Sequence, residues 1–172
     1  MRKAKMSENM TFSKEDLERK VTLSAGDKAP EFWAKNADEV SINLSDFRGR
    51  TVILYFYPKD MTPGCTTEAC EFSELYDDFR ALNAVVIGVS PDSSEKHVQF
   101  GKKYGLKHIL LSDEDHEISK AYGVWQVKKN YGKEYLGIVR TTFLIDKNGN
   151  IIKVFKSVKA AGHAAKVLEN LS

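Results

Sequence analysis

The chain alternates between short runs that are apolar on both faces and longer stretches whose apolar residues recur every three or four positions. Thr51 to Tyr57 is continuous and rich in β-branched and aromatic residues, which predicts a central strand; Pro58 stops it. Ala84 to Val89 has the same character, and Ile109 to Leu111 is a shorter run of the same kind. Ala69, Phe72, Leu75, Tyr76, Phe79 and Leu82 fall at helical spacing and predict one helix over residues 63–82, ended by Asn83. Further helices are predicted from Glu95 to Tyr104, closed by Gly105, from Asp115 to Tyr122, and from Ala160 to Leu171. Phe32-Trp33 and Glu39 to Leu44 predict short strands around a polar turn at residues 35–38. Ile138 to Ile145 and Ile151 to Phe155 predict a hairpin across Asp146-Lys147-Asn148-Gly149, because Asn-Gly accepts positive φ. Residues 123–137 are aromatic and basic without clean periodicity, which predicts loop with a hairpin. The order β-β-β-α-β-α-β-α-β-β-α predicts an α/β domain with a mixed sheet covered by helices on both faces.

Composition narrows the class. A chain of 172 residues suits one domain that buries roughly 70 % of its extended surface, with no need of disulfide staples. The formal net charge of +2, without a run of like charges, gives no nucleic-acid footprint. No apolar run is long enough for a membrane span, and two cysteines exclude a disulfide-rich scaffold. The charge surplus sits in the first twenty residues, where Arg2, Lys3, Lys5, Lys14, Arg19 and Lys20 face Glu8, Glu15, Asp16 and Glu18. Residues 1–20 therefore read as an N-terminal extension, mobile or peripherally docked, and residues 21–172 as the domain. Ser13-Lys14-Glu15-Asp16 can open a short helix by capping-box logic, with Asp in place of Glu. The extension lacks the apolar run of a secretory signal, so the expected compartment is the cytosol. Thiols are held reduced there, and a cysteine pair speaks for redox chemistry or metal more than for a static bridge.

That pair lies in Tyr57-Pro58-Lys59-Asp60-Met61-Thr62-Pro63-Gly64-Cys65-Thr66-Thr67-Glu68-Ala69-Cys70, directly after the central strand. With Thr62 as N-cap, Pro63 falls at N1, where its missing N–H costs nothing, and Cys65 at N3. The sulfur then sits near unpaired backbone N–H groups and the positive end of the helix, which favours thiolate, the nucleophilic form. Cys70 lies about 140° round the helix from Cys65, toward solvent, with the two Cα atoms about 8.7 Å apart. A disulfide needs less than about 7 Å, so the pair can bridge only if the first turns unwind. Structural zinc takes four ligands at closer spacings, and no third cysteine or neighbouring histidine supplies them. A dithiol reductase uses C-x-x-C, whereas the spacing here is C-x₄-C.

Pro58 through Cys70 resembles the active-site loop of the peroxiredoxins, in particular the atypical two-cysteine bacterioferritin comigratory protein or peroxiredoxin Q subfamily. The likeness extends to Gly26-Asp27-Lys28-Ala29-Pro30, to Val86-Ile87-Gly88-Val89-Ser90, and to Tyr131-Gly132-Lys133-Glu134-Tyr135 leading into Arg140-Thr141-Thr142-Phe143-Leu144-Ile145-Asp146. It implies a thioredoxin-like fold and a thiol-dependent peroxidase that reduces hydrogen peroxide and organic hydroperoxides without metal or other cofactor. Cys65 would attack the peroxide and become a sulfenic acid, and Cys70 would resolve it as an intramolecular disulfide. Thr62 would hydrogen-bond the peroxide, Pro58 would shield the site from water, and Arg140 would stabilise the thiolate and the leaving oxygen. Thioredoxin or a similar dithiol would reduce the disulfide, and the protein would act as a monomer. Glu68 reads as structural, and His97, His108, His116 and His163 as surface or packing residues. Trp33 stands where the pattern leads one to expect a smaller residue. Two other readings stay open: a redox switch, which shares the sulfenic acid step, and a binding module with inert cysteines, which predicts no fast reaction of Cys65 with peroxide.

Overall fold

In the computed structural model, which describes residues 12–171, the apolar runs become one seven-stranded sheet and a separate two-stranded hairpin. The strands are β1 (Trp33–Asn36), β2 (Ser41–Asn43), β3 (Thr51–Phe56), β4 (Ala84–Ser90), β5 (Ile109–Ser112), β6 (Trp125–Asn130), β7 (Lys133–Ile138), β8 (Thr141–Ile145) and β9 (Ile151–Phe155). The helices are α1 (Lys14–Glu18), α2 (Pro63–Glu74), α3 (Tyr76–Ala81), α4 (Ser94–Tyr104), α5 (Glu117–Ala121) and α6 (His163–Leu171). The large sheet runs β9-β8-β3-β4-β5-β1-β2, and β6 pairs with β7 alone. β3, β4 and β5 are parallel, while β1, β2, β8 and β9 join by antiparallel pairing. This is the predicted mixed sheet.

β3 shows why its sequence is apolar throughout. Val52, Leu54 and Phe56 enter one core with Leu44, Ile118, Tyr122 and Phe143, whereas Ile53, Tyr55 and Tyr57 enter the other with Phe72, Phe79, Phe100 and Val167. The second core is roofed by α2, α3, α4 and α6, and Cys65 belongs to it. The site is therefore built where a buried strand feeds a helix over a packed aromatic layer.

Several boundaries differ from the sequence expectation. The helix over 63–82 breaks at Leu75 (φ −94°, ψ 11°), whose N–H is shared between the carbonyls of Glu71 and Ser73. Buried Ser73 is tied to the loop after α4: its hydroxyl donates to Gly105 O and accepts from the Lys107 N–H. The strand expected over 138–145 is also two strands, because β7 pairs with β6 whereas β8 pairs with β3 and β9. Val139 and Arg140 fall between them, so Arg140 does not lie inside a strand. The turn expected at 35–38 shifts to 37–39, held by Asn36 Oδ1, which accepts from the N–H groups of Asp38 and Val40. Residues 123–137 hold a regular hairpin, with Tyr131 and Gly132 at φ 53° and 79°, the positive pair a tight two-residue turn requires. α5 and α6 are shorter than expected, and α6 starts at His163 rather than Ala160.

Of the extension, residues 1–11 lie outside the described residues. The capping expectation holds beyond them: Ser13 Oγ accepts from the Asp16 N–H and opens α1. Arg19 pairs with Asp16 and donates to Trp125 O, so this part docks on the hairpin. Among the described residues no helix is long and apolar enough to cross a membrane.

Candidate active site

The chain stays in register one residue past β3, with the Tyr57 N–H bonded to Val89 O at 3.1 Å, and leaves the sheet at half-buried Pro58. Thr62 takes the extended N-cap conformation, so Pro63 is N1 and Cys65 is N3, and the Thr66 N–H bonds Thr62 O at 2.8 Å. The Thr62 hydroxyl does not cap the helix; it donates to Lys59 O at 2.9 Å, closing the loop on itself. Cys65 is 1 % exposed, and Cys70, five residues on, is half-buried. Both are free thiols. Burial, with Glu74 adding to it, pushes the Cys70 thiol up, which keeps it protonated in this folded form.

Arg140 completes the centre. Its Nη2 donates to Cys65 Sγ at 3.2 Å and its Nη1 to Glu68 Oε1 at 2.5 Å, so one guanidinium bridges sulfur and carboxylate. Burial works against its charge, but Glu68 and Cys65 outweigh burial and hold its pKa above the ordinary value. Gly64 leaves room for the fork: a Cβ there would meet Arg140 Nη2 at 3.3 Å.

Sequence reasoning underrates two neighbours. Glu68 is fully buried, and burial pushes its carboxyl up to about 7 even though Arg140 pulls the other way. Its Oε2 has no hydrogen-bond partner among the described residues. Its place three residues after Cys65, on the same helix face, is the signal that points to it. Lys128 on β6 donates to Ile138 O at 2.8 Å; burial and then Arg140 lower its pKa, and Cys65 opposes them. No periodicity around Lys128 signals this placement. Three of the four histidines pack inside, His97, His108 and His163, and His116 stacks on Trp125 at 3.8 Å. His108, bonded to Tyr55 Oη, is pushed down to about 3 by burial, and His163, bonded to Thr142, to about 4. Trp33, by contrast, stands 65 % exposed on β1, away from this cluster.

A buried cysteine at the start of a helix, bridged by an arginine to a carboxylate, is an arrangement for anionic sulfur chemistry. Residues 25–154 match the AhpC/TSA family, and the chain belongs to that family. It is 51 % identical over 151 residues to Peroxiredoxin Bcp of Bacillus subtilis, covering 88 % of this chain and 96 % of that protein. It is 45 % identical over 146 residues to Peroxiredoxin Bcp of Escherichia coli, covering 85 % and 94 %. The solved structure of Xanthomonas campestris peroxiredoxin Q superposes with a TM-score of 0.80 at 38 % identity, over 86 % of this chain and 96 % of that one. Within the family the chain is thus a peroxiredoxin of the Bcp and peroxiredoxin Q kind, with a thioredoxin-like fold. It is a thiol-dependent peroxidase, which takes a peroxide as substrate and a thiol as reductant.

Proposed function

We propose that Cys65 is the peroxidatic cysteine and Cys70 its resolving partner in a cycle that closes within one chain. The observation that carries this is the 3.2 Å donation from Arg140 Nη2 to Cys65 Sγ at the start of α2. The thiolate attacks the terminal peroxide oxygen; the S–O bond forms, the O–O bond breaks, and the leaving oxygen takes a proton to depart as water or alcohol. Arg140 faces the sulfur with a fixed cation while charge moves onto that oxygen. Thr62, in the loop ahead of Cys65, offers its hydroxyl oxygen to the peroxide while its hydrogen points to Lys59 O. Pro58 shields the sulfur from bulk water.

The resulting sulfenic acid condenses with Cys70, forming the S–S bond and releasing water. In an intact helix the two Cα atoms stand about 8.7 Å apart, beyond disulfide reach, so α2 unwinds between the two steps. An external dithiol, thioredoxin or one like it, reduces the bridge by exchange. We read the substrates as hydrogen peroxide and organic hydroperoxides; a solved relative, the bacterioferritin comigratory protein of Xanthomonas campestris, has alkyl peroxide reduction activity. The protein works as a monomer in the cytosol, where such a dithiol pool exists.

The test is turnover with hydrogen peroxide and reduced thioredoxin. The wild type is expected to turn over continuously. Cys65→Ser is expected to be inert, and Cys70→Ser to consume one equivalent and stop with a sulfenic acid that dimedone traps on Cys65. Sustained turnover by Cys70→Ser at the wild-type rate would remove Cys70 from the cycle.

A further inference from the structure

The loop between β3 and α2 contains a buried acid that the reaction does not use. Asp60 is 4 % exposed, although Lys59 and Met61 on either side are exposed. Both of its carboxylate oxygens are engaged: Tyr57 Oη donates to Oδ1 at 2.6 Å, and His97 Nδ1 lies 2.7 Å from Oδ2. His97, on α4, is fully buried, and its Nε2 lies 3.0 Å from Leu111 O. A carbonyl only accepts, so Nε2 carries a hydrogen, and a second proton lies between Nδ1 and Oδ2. The Asp60 N–H in turn bonds Asp92 Oδ2 at 2.8 Å, and Asp92 Oδ2 also accepts from Ser90 Oγ at 2.8 Å.

One loop residue is thereby tied to the carboxyl ends of three adjacent parallel strands and to α4. The next residue, Met61, has φ 69°, a left-handed conformation that a non-glycine residue keeps only when its neighbours hold it there. On its other side Thr62 is held by its bond to Lys59 O. The strained residue thus sits between two anchors, and the second anchor is the side chain that receives the peroxide.

We propose that His97, acting through Asp60, is a positioning residue for the peroxidase reaction: the His97–Asp60–Tyr57 clip holds loop 58–62 so that the Thr62 hydroxyl is set against the sulfur of Cys65. This rests on the role given to Thr62 above. Arg140 donates to both Cys65 Sγ and Glu68 Oε1, and all three lie outside the clip. Loss of the clip therefore misplaces the peroxide seat and leaves the nucleophile's own pairing in place.

Two rate constants on the fully reduced protein separate these effects. Reaction with hydrogen peroxide needs both sulfur and seat, whereas alkylation of Cys65 by iodoacetamide, read by peptide mass, needs the sulfur alone. In His97→Gln the peroxide reaction is expected to slow about 10–100-fold, the scale of a 1 Å misplacement, with alkylation changed less than about 3-fold. Tyr57→Phe, which deletes one hydroxyl from the clip, is expected to give a smaller loss of the same selective kind. It carries the test if His97→Gln does not fold. A peroxide rate unchanged in the variants, or one that falls in parallel with alkylation, overturns the inference. A wild type that reacts with peroxide no faster than with iodoacetamide overturns the peroxidase reading and this inference together.

Discussion

At the scale of single residues, Arg140 and Glu68 set the surroundings of the Cys65 sulfur. The guanidinium spans two acceptors, Cys65 Sγ and Glu68 Oε1, and Glu68 orients it from a fully buried site. Burial pushes the Glu68 carboxyl up to about 7 from an ordinary 4.5. Between those values the folded protein holds a proton that the unfolded chain has lost, so this group's contribution to stability falls as pH rises from about 4.5 through about 7. Glu68→Gln removes the titration and keeps an acceptor for Arg140. The melting temperature of the wild type relative to Glu68→Gln is therefore expected to fall, on the order of 5 °C, between pH 5 and pH 8. A difference that stays constant with pH would contradict it.

At the scale of elements, the proposed cycle requires an α2 stable enough to seat Cys65 and weak enough to release it. Ala69 and Phe72 hold it to the core, and Glu71 ties it to the start of α6 by accepting from the Gly162 N–H at 2.9 Å. That contact lies next to Cys70, at solvent, and unwinding around Cys70 would break it. Glu71→Ala is expected to speed disulfide closure about 2–5-fold, the worth of one exposed hydrogen bond, and to leave sulfenic acid formation unchanged. Rapid-quench mass spectrometry resolves the two steps; closure that is unchanged or slower would count against it.

The sequence makes some of this legible and hides the rest for physical reasons. β3 can be read because burial on both faces leaves an unbroken apolar run, and the place of Cys65 at N3 because Pro63 marks a helix start. The break at Leu75 cannot be read, since the apolar spacing runs straight across it, while the bonds that hold Ser73 beside it come from loop 105–107, 32 and 34 positions on. Alternation from Ile138 to Ile145 says nothing about which strand each half pairs with, so it cannot show that Arg140 leaves the ladder. His97 and Asp60 meet across 37 positions, and no local pattern reports such a contact.

At the scale of the whole molecule, the described part of the extension is fastened to the face opposite α2. Arg19 donates to Trp125 O, Val21 and Leu23 just past the extension pack on the core that holds Tyr122 and Val124, and a Cβ on Gly123 (φ 80°) would lie 2.4 Å from Lys20 O. Backbone cannot yield there cheaply. Gly123→Ala is expected to cost about 1–3 kcal/mol and to open residues 12–20 to protease, with Cys65 still reactive. Unchanged melting and unchanged proteolysis would show that the close approach is not needed.

The most direct measurement is stopped-flow tryptophan fluorescence of the reduced protein mixed with stoichiometric hydrogen peroxide, with the product weighed intact and as peptides. Fast oxidation is expected, with loss of two hydrogens and a single Cys65–Cys70 linkage, all absent in Cys65→Ser. A wild type that fails to react, or a Cys65→Ser protein that reacts equally, would contradict the assignment of Cys65 as the nucleophile.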